Sequence, residues 1–166
     1  MTVSVALLRR CFLALTATGI AGTGIELALS RHWTSAVQLI AWYALAVLAV
    51  ALALAVARPK TWAVRAVRVL AVVVMASAAF GIYEHVLANY HAGPLDFRYT
   101  ERWASMSATS RWWAAISESV GPSPTLAPAV LAQAAVCLLF ATLGVTSGTA
   151  ESVQRTRSRT KASSRT

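Results

Sequence analysis

Apolar residues in this chain do not alternate with polar ones; they come in long runs separated by short polar breaks. Between Cys11 and Leu29 the only charge is Glu26, and between Trp33 and Ala57 there is none. From Val69 to Asn89 the only chargeable acid and imidazole are the adjacent Glu84 and His85, and Leu126 to Val145 carries no charge. Each run is about 19–25 residues long, matching the roughly 20 that a helix needs to cross hydrocarbon. A helix buried in a soluble domain keeps a polar face, and these runs mostly do not. The pattern predicts an all-α integral membrane four-helix bundle with spans over about 8–29, 33–57, 64–89 and 125–146.

The breaks between runs agree. Ser30, Arg31 and His32 form a sharp turn, and Trp33 follows where an interfacial tryptophan belongs. The stretch "ALAVLAVALALAVA" in the second run alternates as a strand would. A lone strand cannot satisfy its backbone in lipid, so helix is expected. Arg58-Pro59 ends that helix, because a residue before proline is biased away from the α region. Residues 90–123 form the one long loop. Within it "SRWWAAISESV" offers Ser110 as an N-cap and puts Met106, Trp113, Ile116 and Val120 on one face, with Arg111 and Glu118 opposite. That predicts a short interfacial helix. Trp103, Trp112 and Trp113 fit an aromatic belt, and a lid over an outward-facing pocket is the functional alternative. "GPSPTLAP" leads into the fourth span with Pro128 in its first turn. Residues 147–166 are rich in Ser, Thr and Arg, too polar to fold alone, and are expected to be drawn to anionic lipid.

Composition strengthens this picture. A content of 57% hydrophobic against 13% charged residues, with a mean hydropathy of +0.59, exceeds what soluble domains of this size carry. The net charge of +9 would suit nucleic acid, but the placement of the charges excludes that partner. Arg9 and Arg10, then Arg58, Lys60, Arg65 and Arg68, then Arg155, Arg157, Arg159, Lys161 and Arg165 all fall on one side of the expected bundle. Arg31, Arg98, Arg102 and Arg111 fall on the other, where Asp96, Glu101 and Glu118 offset them. The positive-inside rule then places both termini in the cytoplasm of a plasma (inner) membrane protein. The N-terminal run resembles a signal peptide, but its apolar character continues to Leu29 and it is expected to be retained. Cys11 and Cys137 read as apolar fillers without redox chemistry. Thirteen Arg against two Lys, with abundant Ala, suggests a bacterial source.

The strongly polar residues of the runs gather at the outer side. On the third run Ser77, Gly81, His85 and Asn89 recur every four residues and so share a helix face, with Glu84 beside them. That row should face the bundle, leaving Met75, Ile82 and Val86 toward lipid. Thr18, Gly22 and Glu26 repeat the spacing on the first run, which suggests two similar hairpins. Gln38 and Gln133 add one polar group to each remaining run, and His32 and His91 sit in the adjoining turns. The candidate cluster is therefore Glu26, His32, Gln38, Glu84, His85, Asn89, His91 and Gln133. Its simplest role is interhelical, with Glu26 pairing His85 or Arg31. A metal set of Glu26, His32, Glu84 and His85 is chemically sensible but lacks a compact ligand motif, so no metal or other cofactor is expected.

The residues "TGIAGTGIELAL", "RHW" and "GIYEHVLAN" resemble small, uncharacterised four-helix integral membrane proteins of bacteria, in which a Glu near the end of span one and a His near the end of span three recur. The resemblance covers residues 16–90. It implies the topology and no mechanism. The expected function is that of a non-enzymatic accessory or subunit whose polar cluster stabilises the bundle, with a second membrane protein or a second copy of the chain as partner. The alternative is a solute- or metal-handling protein using the cluster as an outward-facing site.

Overall fold

The structure, a computed structural model, describes residues 4–57 and 61–143. These form five helices: α1 (Val5–Leu29), α2 (Ala36–Val56), α3 (Thr61–Ala92), α4 (Ala108–Ile116) and α5 (Ala129–Ala141). Single 3-10 turns occupy Gly93–Leu95 and Trp103–Ser105, and the described residues contain no strand. Three of the helices, α1, α2 and α3, are long and apolar enough to cross a membrane. The fourth expected span differs. Its α-helix holds 13 residues and begins at Ala129 rather than at 125. Residues 125–128 instead make successive i+3 turns, with Ala129 N–H on the Leu126 carbonyl and Leu131 N–H on that of Pro128. Pro122, Pro124 and Pro128 lack the donors a helix would use there. The last residues of that span, 144–146, and the basic tail lie outside the described residues.

Helix α1 packs on α2 and α5, and α3 packs on α2 and α5. The seams carry buried residues at heptad spacing, among them Ala44, Leu48, Ala51 and Ala55 on α2 and Val67, Ala71, Val74 and Ala78 on α3. Alanine at these positions lets backbones approach, while Leu48 and Leu138 fill the space between them. Large side chains such as Leu15, Val50, Val72, Val73 and Phe140 point outward instead.

On α1 the buried seam is Thr16, Thr23 and Leu27, not the expected row of Thr18, Gly22 and Glu26. Gly22 has no neighbour within 4 Å of where a Cβ would stand. Gly19 is the close-contact glycine, with Ala134 Cβ 3.1 Å from the same point. Beside it Thr16 donates its hydroxyl to the carbonyls of Phe12 (2.9 Å) and Ala134 (3.2 Å), one of them on α5. The hairpin repeat fails with that row, since Ser77, Gly81 and His85 face neighbours while Thr18 and Gly22 do not.

At one end of the molecule two arginines cap helix C-termini. Arg9 donates to the carbonyls of Ala55 and Ala141, and Arg68 to Thr142 through its carbonyl (3.2 Å) and Oγ1 (3.1 Å). Cations suit the exposed carbonyls of a helix C-terminus. The same bonds bring the start of α1 and of α3 to the ends of α2 and α5, so the four apolar helices alternate in direction.

At the opposite end, α3 continues past its neighbours. Its 32 residues span roughly 48 Å at 1.5 Å per residue, well beyond the hydrocarbon thickness. The last two turns carry a second, separate core of Val86, Trp103, Ala114, Ala115 and Val120. Three expectations change here. Val86 is buried against this cap rather than facing lipid, with Ile82 packed beside it, and Met75 packs against the main core. Trp103 is a core residue, not part of a belt, while Trp112 stacks on Tyr90 at 4.4 Å. Helix α4 starts one turn earlier than expected, with Ser107 as N-cap accepting from Ser110 N–H, and it buries Ala114 and Ala115 while Trp113 and Ile116 stay exposed.

Candidate functional site

Beneath the cap the chain leaves a cleft of about 570 Å³. Its walls are the last turns of α1, the start of α2, the second half of α3, the irregular segment that precedes α5 and Leu131 of α5 itself. Five of the eight candidate polar residues line it: Glu26, His32, Gln38, Glu84 and His85. The other three do not. Asn89 is fully buried behind the wall, and His91 and Gln133 are exposed elsewhere.

Local structure explains how each group is held. Helix α1 ends with Arg31 in the left-handed region (φ 50°), while Arg31 N–H bonds the Ala28 carbonyl and His32 N–H bonds that of Leu27. This is a Schellman termination with arginine where glycine is usual. It fixes the His32 backbone, whose carbonyl also accepts from Trp42 Nε1 at 2.8 Å. Gln38 is committed to starting α2. Its Oε1 accepts from Thr34 N–H (2.7 Å) and Thr34 Oγ1 (2.8 Å) while Ser35, the N-cap, accepts from Gln38 N–H. The reciprocal arrangement is a variant of the capping box.

His85 and Asn89 hold the wall. The Pro124 carbonyl, which also accepts from Ala127 N–H at 3.2 Å, lies 2.8 Å from His85 Nδ1, which makes Nδ1–H the donor. One turn later, Asn89 Oδ1 accepts from Ser123 N–H (2.9 Å), and its Nδ2 donates to Ser123 O (2.8 Å) and Ala115 O (3.3 Å). Gly121, at φ 77°, packs so tightly on Asn89 that a Cβ there would strike its Oδ1. Glu118, itself at φ 57°, accepts from Thr125 N–H at 2.7 Å. Asp96 accepts a two-pronged bond from Arg98 and a weaker one from Gly121 N–H at 3.4 Å. The Arg98 bonds hold the Asp96 carboxyl well below the usual carboxylate range.

The two glutamates are different. Neither Glu26 nor Glu84 has a hydrogen-bond or ion-pair partner among the described residues, where the one ion pair is Arg98–Asp96 at 2.7 Å. The expected pairing of Glu26 with His85 or Arg31 is therefore not formed. His85 turns to Pro124, and its ring lies 6.3 Å from that of His32. His32 sits in the turn, half-buried. Desolvation lowers its pKa first, the neighbouring His85 lowers it further, and Glu26 opposes both. Among the described residues no three His, Cys, Asp or Glu side chains converge to hold a metal ion.

Several contributors could not be picked from the cluster's composition. Thr23 lines the cleft, yet its Oγ1 is buried without a partner. The backbone of Pro122–Thr125 supplies a wall and most of the polar contacts. The proline spacing was the available signal, because prolines that break a helix leave carbonyls in need of donors. Comparison with family models, with curated proteins and with solved structures finds no match to this chain.

Proposed function

We propose that the protein is a non-enzymatic multi-pass membrane protein whose cleft binds a small ligand from the outer side. In this reading α1, α2, α3 and α5 form a four-helix transmembrane bundle with both termini cytoplasmic. The outward display of Leu15, Val50, Val72, Val73 and Phe140 supports it, since soluble monomers rarely expose so continuous an apolar surface. The gathering of Arg9 and Arg68 at one end agrees with the positive-inside rule.

One observation carries the ligand reading. Glu26 and Glu84 stand unpartnered in a cleft whose volume lies within the range of small-molecule sites. A cluster that served only to tie helices together would spend its charges on each other. His85 is tied to the Pro124 backbone carbonyl, and the two carboxylates are tied to nothing among the described residues. The broken backbone before α5 fits as well, because non-helical chain at membrane depth is tolerated where it lines a wet cavity.

Thiol labelling tests this. In a Cys11→Ala background, Ser77→Cys at the cleft should react with an impermeant maleimide added to the outside of intact cells. Val73→Cys, one turn away and facing outward, should not. Equal resistance at both positions would rule out an open outward cleft.

A further inference from the structure

Taking the cleft to be a ligand site, we infer that its occupant is a small organic cation, an ammonium on a compact apolar body. The cleft holds the carboxylates of Glu26 and Glu84 and no lysine or arginine. Neither carboxylate is neutralised within the described chain. Two unpaired acids lining one cleft favour any cation that enters. The remaining polar groups also favour a donor. His85 uses Nδ1–H on the Pro124 carbonyl, which leaves only Nε2 of that ring for a ligand. His32 is held toward its neutral form by burial and by His85.

Thr23 gives an independent sign. Its residue is 7% exposed, it lines the cleft, and its hydroxyl has no partner. Buried polar groups are nearly always satisfied, and a ligand N–H would satisfy this one once the side chain rotates its hydroxyl toward the cleft. The rest of the lining decides between kinds of cation. Leu27, Ile40, Phe80 and Leu131 offer apolar contact that a hydrated metal ion could not use, and no three-ligand metal group is present among the described residues. An anionic ligand would meet two carboxylates with nothing to offset them. An ammonium can bond to the acids while its apolar body rests on those walls.

The test uses one molecular body in three charge states. The full chain in lipid nanodiscs is titrated by calorimetry with benzylammonium, benzyl alcohol and benzoate at neutral pH, against empty nanodiscs. Benzylammonium should bind at one site, at least about tenfold more tightly than either counterpart, as expected when a charge-assisted bond is added. Glu26→Gln and Glu84→Gln should each weaken it by about tenfold, with unfolding temperatures recorded to confirm folding. Benzyl alcohol binding as tightly as benzylammonium, or glutamine variants that bind it unchanged, would overturn the cation and leave a ligand site for neutral molecules. Absence of benzylammonium binding while Ser77→Cys still labels would also overturn it, with the open cleft intact. Failure of labelling and binding together would remove the site itself.

Discussion

Asn89 holds both backbone groups of Ser123, 34 residues away, accepting from its N–H at 2.9 Å and donating to its carbonyl at 2.8 Å. One side chain thereby fastens the segment before α5 to the protruding end of α3. The segment so fastened is the cleft wall, and His85 reinforces it one turn below. The cap and the cleft thus depend on the same few bonds.

Asn89→Ala should lower stability by about 1–3 kcal/mol, because it strips partners from buried backbone groups. Asn89→Asp should not restore it, since a carboxylate would face the Ser123 and Ala115 carbonyls. Gly121→Ala should resemble Asn89→Ala, as its Cβ would displace the same amide from a backbone already at positive φ. Thermal unfolding in detergent measures all three. Wild-type stability in Asn89→Ala would mean that the cap holds without this clamp.

Two of the three α1 glycines, Gly19 and Gly22, separate by rotation. Gly19→Leu must force α1 from α5 and should cost about 1–3 kcal/mol through overpacking. Gly22→Leu, with open space around it, should be close to neutral. The reverse order of unfolding temperatures would place the opposite face of α1 inward.

The proposed topology is checked by reporter fusions. Fusions after Lys60 and at the C-terminus should read cytoplasmic, and a fusion near Ser110 should read external. An external C-terminus would turn the cleft toward the cytoplasm.

Acid should weaken the cleft through His32. Its folded pKa lies below the ordinary value of 6.5, so the unfolded chain takes up the proton first. Stability from this group is complete above that value and is lost as pH falls from about 6.5 through the lower folded pKa. His85 on α3 and Glu26 on α1 act on the ring in opposite senses, the first lowering its pKa and the second raising it. Unfolding temperatures of wild type and His32→Asn between pH 8 and 5 isolate its share: the wild type should fall more steeply. Benzylammonium affinity should decline over the same window, because an imidazolium repels it. Parallel curves for the two proteins would show that His32 does not control either property.

The length of each apolar run and the side on which the basic residues fall were written in the sequence, because both are one-dimensional properties. They yield the three long helices and their order. The gathering of Glu26, His32, Gln38, Glu84 and His85 was also visible, since each sits near the same end of its run. Helix rotation was not. Where every face is apolar, hydrophobicity cannot distinguish a neighbour from lipid, and only close packing chose Thr16, Gly19 and Thr23 over Thr18 and Gly22. Nor did composition separate Asn89 and Gln38, spent on backbone groups, from Glu26 and Glu84, left open to the cleft. That division depends on which carbonyls and N–H groups the prolines before α5 and the turn after α1 leave unpaired, and those groups meet their partners only once the helices are side by side.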